Sequence, residues 1–227
     1  MLLLHIETST NVCSVALSEN LDCIYFKSNA DGMNHAALLS VFIAEALALL
    51  KSSGKSLSAV AVSSGPGSYT GLRIGVSTAK GLCYGLDIPL IAVSTLEVLA
   101  SEAIKTRKDS DNVLFCPMID ARRMEVYAAF YDTNLNLRRE ISADIIDDES
   151  YAKILTDERV FFFGNGSEKC KSILTHSNAH FIENIVPLAS NMIPLAVKSF
   201  IDKKFVDTAY FEPFYLKEFQ TTTAKNK

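Results

Sequence analysis

Short apolar runs open the chain. Residues 2–6, 12–17 and 21–26 are rich in Leu, Val, Ile and Phe, and polar positions interrupt them at intervals close to two. That pattern predicts three consecutive strands in a meander that begins a sheet. From Asn34 to Leu50 the spacing becomes helical, and residues 57–62, apolar and β-branched, read as a buried strand. A glycine-rich turn then leads into a second helical pattern that ends at Leu86. Residues 87–93 read as another strand, and Ser94-Thr-Leu-Glu97 matches a capping box opening a helix to about Lys105.

The polar run from Lys105 to Asn112 breaks this rhythm, so the lobe boundary is placed there. An N-terminal lobe is expected over residues 1–108 and a C-terminal lobe over 109–227. In the second lobe, residues 113–119 and 126–131 read as strands joined by a charged turn. Residues 160–163 read as a buried strand ending at Gly164-Asn-Gly166, followed by a helix around 167–174. A last helix is expected from about Pro194. The aromatic, extended residues 210–216 are expected to dock on the first lobe, and residues 220–227 to form a disordered tail.

Two helices depart from the usual surface pattern. Around residues 34–50 one side carries Leu38, Leu39, Phe42, Ile43, Ala46, Leu47, Leu49 and Leu50, and the opposite side carries Ala37, Ser40, Val41, Ala44, Glu45 and Ala48, with Glu45 its only charge. A helix this apolar all round is expected to be covered on two sides. In the next helix Gly71, Gly75 and Gly85 share a face with Thr78 and Leu82. Glycine weakens a helix interior by about 1 kcal/mol relative to alanine, so a neighbouring backbone is expected close by, from this chain or from another. The hypothesis is a helix-to-helix subunit contact through Leu38, Val41, Phe42 and Glu45 of the first helix and Gly71, Arg73, Ile74, Gly75, Thr78 and Leu82 of the second.

Chemistry-bearing motifs are sparse. Gly65, Gly67 and Gly71 are spaced wrongly for either a Walker loop or a dinucleotide fingerprint, and no lysine follows, so a structural turn is expected. Glu7, Thr8, Ser9 and Thr10 read as a hydroxyl-rich turn or as a place for a phosphate or hydrated magnesium. Asp120 beside Arg122 and Arg123 reads as a salt-bridged turn, since it has no partner base. His176 and His180 stand four apart, but Ser177-Asn178 suits a turn and no Glu follows His176, so no metal site is expected. Ser68 lies in Gly67-Ser-Tyr-Thr-Gly71, which is not a nucleophile elbow, and no histidine is assignable to it. No catalytic residue and no cofactor are therefore expected.

Composition narrows the setting. A formal net charge of -4 argues against a strong independent nucleic-acid binder. Five scattered cysteines without a Cys-x-x-Cys pair fit reduced thiols. On the sequence alone no apolar run approaches the length of a membrane span, and the first residues lack the basic lead-in of a signal peptide, so a cytoplasmic protein is expected.

Several segments taken together resemble the YeaZ/TsaB family of bacterial tRNA threonylcarbamoyladenosine synthesis. They are Ile6-Glu-Thr-Ser9, Ser64-Gly-Pro-Gly-Ser-Tyr-Thr-Gly-Leu-Arg-Ile-Gly75, Pro89-Leu-Ile-Ala-Val-Ser-Thr95, Ile119-Asp-Ala-Arg122 with Glu125-Val-Tyr127, and Glu212-Pro-Phe-Tyr-Leu216. The resemblance implies an α/β fold of two lobes, shared by acetate and sugar kinases, actin and heat-shock ATPases and built on ribonuclease H-like sheets. In that fold the segments at Glu7–Thr10, Asp120–Arg122 and Gly164–Gly166 are where relatives hold ATP. It also implies a non-catalytic subunit that pairs with the catalytic sister TsaD through first-lobe helices, helps assemble the ATPase TsaE and tRNA, and self-associates when isolated. His35 has Leu39 four residues on, where the sister has a second metal-binding histidine. The competing readings are a small-molecule kinase or ATPase of the same fold using Glu7 and Asp120 around magnesium, and, ranked last, a peptidase.

Overall fold

The computed structural model describes residues 1–32, 34–107 and 113–216. The expected tail at 220–227 and most of the expected boundary segment lie outside the described residues. The opening meander forms as β1 (Leu2–Glu7), β2 (Cys13–Glu19) and β3 (Asp22–Asn29), all antiparallel. β4 (Ala59–Gly65) and β5 (Leu90–Ser94) join in parallel on the other side of β1, giving the order β3-β2-β1-β4-β5. The second sheet repeats the plan. β6 (Val113–Asp120), β7 (Glu125–Tyr131) and β8 (Leu137–Ile145) are antiparallel, β9 (Arg159–Phe163) lies parallel to β6, and β10 (Ala179–Phe181) lies parallel to β9.

The burial pattern explains why β1 and β4 are central. Leu2, Leu4 and Ile6 enter one core with Val60 and Val62, while Leu3 enters another with Ala59, Ala61, Ile91 and Val93. A strand apolar on both faces belongs between layers. The first core is closed by α1 (His35–Ser53) and α2 (Tyr69–Leu86). On the other face, α3 (Thr95–Thr106) sends Val98 to the first sheet and Leu96, Leu99, Ala100 and Ala103 to the second. α4 (Ala152–Asp157) covers the outer side of the second sheet through Leu155. The chain then returns, and α5 (Ile193–Ile201) places Ile193, Ala196 and Val197 in the core of the first sheet.

Several expectations are corrected. β8, α4 and β10 carry weak periodicity and were not read from the sequence. The helix expected around 167–174 is a 3-10 turn at Glu168–Cys170, and Ser94 precedes α3 without a side-chain capping bond. α1, at 19 residues, is long and apolar enough to cross a membrane by length and composition, contrary to the sequence reading. Here its Leu39, Phe42, Ile43, Ala46 and Leu50 are buried in the first core.

Candidate partner interface

α1 keeps an apolar outer side even after packing. Val41 is 50% exposed and Leu49 47% exposed, with Ala37, Ala44 and Ala48 also outward. Glu45 stands at the edge of this strip, where the Tyr25 hydroxyl donates to it at 3.0 Å and Lys27 pairs with it at 3.0 Å. The Lys27 hydrogen bond, followed by that of Tyr25, holds the carboxyl below its ordinary range. α2 contacts α1 and buries Leu72, Val76, Ala79 and Cys83, while Thr70, Arg73, Ser77, Gly81, Tyr84 and Gly85 face outward.

The ten candidate residues divide accordingly. Val41 and Arg73 are exposed, and Leu38, Glu45, Ile74, Thr78 and Leu82 are half-buried, Glu45 against Tyr25 and Lys27 of β3. Phe42 is a core residue, only 8% exposed. Gly71 and Gly75 face their own chain: a Cβ on Gly71 would lie 2.1 Å from the Thr8 carbonyl oxygen, and one on Gly75 would lie 2.3 Å from Thr8 Oγ1. The backbone that approaches the glycine face is therefore the end of β1. Gly81 and Gly85, in contrast, have open space above them.

That approach closes the strand ends. The Ser68 amide donates to the Ser9 carbonyl at 2.6 Å, the Thr8 hydroxyl donates to the Gly71 carbonyl at 2.8 Å, and Ser68 caps the Gly71 amide at 3.3 Å. Glu7 is completely buried. One carboxylate oxygen accepts the Ser9 amide at 2.7 Å and the other accepts the Ser63 hydroxyl. Burial pushes its carboxyl above the ordinary range, with the Ser63 and Ser9 bonds opposing. Beside it, buried His5 bonds Ser18 Oγ through Nε2 at 2.9 Å, and desolvation lowers its pKa to about 3. The hydroxyl-rich turn, one of the two sequence readings, is the arrangement present.

The second lobe closes in the same manner. A Cβ on Gly164, whose φ is +95°, would lie 2.4 Å from the Met118 carbonyl oxygen, and the Gly166 amide donates to that oxygen at 3.0 Å. Asn165 Oδ1 accepts the Asp120 amide at 3.0 Å. The ion partner of Asp120 is Lys169, not Arg122 or Arg123. His176 sits in a turn where its Nδ1 accepts the Asn178 amide at 3.1 Å, and His180 lies on β10 against the Phe161 ring, so the two share no helical face. His35 Nε2 lies 2.9 Å from the Thr10 carbonyl oxygen. Among the described residues no group of three or more His, Cys, Asp or Glu side chains comes together.

The aromatic C-terminal segment docks on the first lobe, as its composition leads one to expect. Lys80 Nζ donates to the Ala209 and Phe211 carbonyls, each at 3.0 Å, and the Phe214 amide donates to the Ser64 carbonyl at 2.7 Å. Tyr215 packs on Tyr69 at 5.0 Å between ring centroids, and the Arg73 guanidinium lies over the Tyr69 ring at 4.8 Å. The sequence carries no local signal for the role of Lys80, because the segment it meets is more than a hundred residues away.

Comparisons with known proteins agree with this architecture. A family profile described as TsaD, tRNA N6-adenosine threonylcarbamoyltransferase, matches residues 30–220. The tRNA threonylcarbamoyladenosine biosynthesis protein TsaB of Haemophilus influenzae is 30% identical over 95% of this chain and 93% of its own length. The protein of that name from Escherichia coli is 30% identical over 96% of this chain and 95% of its own. YeaZ from Pseudomonas aeruginosa superposes with a TM-score of 0.76 at 27% identity, covering 95% of this chain and 99% of that one. With YeaZ the chain shares the α/β fold of two five-stranded mixed sheets built to one strand order. Matched almost end to end by relatives of one kind, the chain belongs to the YeaZ/TsaB family.

Proposed function

We propose that this chain is a non-catalytic subunit of tRNA threonylcarbamoyladenosine biosynthesis. It pairs through the outward sides of α1 and α2 with a TsaD-type catalytic subunit, and works with a TsaE-type ATPase and with tRNA in the resulting cytoplasmic complex. In isolation it uses the same face to form a homodimer. The observation that carries this reading is the contrast between two places. The outer strip of α1 leaves Val41 and Leu49 about half exposed among alanines, an apolar surface that water covers poorly. The strand ends, where relatives of the fold hold ATP, are filled by the chain's own Thr8, Ser9, Ser63 and Lys169.

Filled strand ends support a binding role over turnover. A buried Glu7 that already accepts from Ser63 and Ser9, and is held towards its neutral form, is a poor ligand for a hydrated cation. The family membership supports the pathway, since close relatives carry it in their names.

An in vitro modification assay tests this directly. The purified chain with tRNA and a threonylcarbamoyl donor should leave the adenosine unmodified, and adding the TsaD-type subunit of the same organism with TsaE should restore modification. Modification by the chain alone would refute a non-catalytic role.

A further inference from the structure

We draw no further inference here: the strongest candidate, the exposed apolar side chains of Ile24 and Phe26 on β3, the edge strand of the first sheet, carries nothing because nothing in the structure shows what covers them.

Discussion

Gly71 and Thr8 are locked to each other twice. The Thr8 hydroxyl donates to the Gly71 carbonyl at 2.8 Å, and the Gly71 Cα lies so near the Thr8 carbonyl that a Cβ would come within 2.1 Å of its oxygen. Gly71→Ala is therefore expected to destabilise the fold by about 1–3 kcal/mol through a backbone clash. Gly81→Ala, in the same helix but with open space, should stabilise by about 0.5–1 kcal/mol. Urea unfolding of the two variants decides it, and equal effects would contradict the contact.

The same pair shows what the sequence made legible. Period and turn chemistry placed β1, β2, α1, β4 and α2 because each is a long, strongly patterned segment. The glycine face of α2 announced a close backbone rightly at Gly71, but Gly75 meets the Thr8 side chain and Gly85 has open space, and periodicity alone does not say whose backbone approaches. Gly71 and Gly75 meet Thr8 of their own chain, a contact set by the parallel pairing of β1 and β4 across more than fifty residues. β8 and β10 were missed for a related reason. Both lie at sheet edges with mixed exposure, so their residues lack the clean alternation that a half-buried strand shows.

Buried His5 gives the protein an acid-sensitive limb. Its pKa is about 3 in the fold against 6.5 ordinarily, so between these values the unfolded chain binds a proton that the folded chain does not. Stability should then rise with pH across that window. His5→Leu removes this contribution. Denaturant midpoints at pH 5 and pH 7 should differ less for the variant than for the wild type, and an unchanged pH dependence would show that His5 is not held neutral.

Glu7 acts in the opposite sense. Its carboxyl is raised by burial, so as pH climbs through the ordinary carboxylate range the unfolded chain loses its proton first. The folded state loses stability over that interval and until the raised value is passed. Compared with Glu7→Gln, which does not titrate, the wild type should be at its relative best in acid and lose ground towards neutrality. A wild-type advantage over Glu7→Gln that grows with pH would mean that Glu7 is held as a carboxylate.

Lys80 fastens the C-terminal segment by bonding the Ala209 and Phe211 carbonyls. Lys80→Met should let the Phe214 amide, bonded to Ser64, exchange with deuterium about tenfold faster or more, while β1 and β4 amides keep their protection. Equal exchange at Phe214 would show that the aromatic contacts hold the segment without the lysine.

Pairing through α1 is tested most directly by light scattering of the chain mixed with the TsaD-type subunit. The wild type should form a complex with the mass of both subunits, Val41→Glu should leave two separate species, and Ile145→Glu, an exposed site on the second sheet, should pair like the wild type. A Val41→Glu chain that is folded and still forms the complex would contradict docking through this helix.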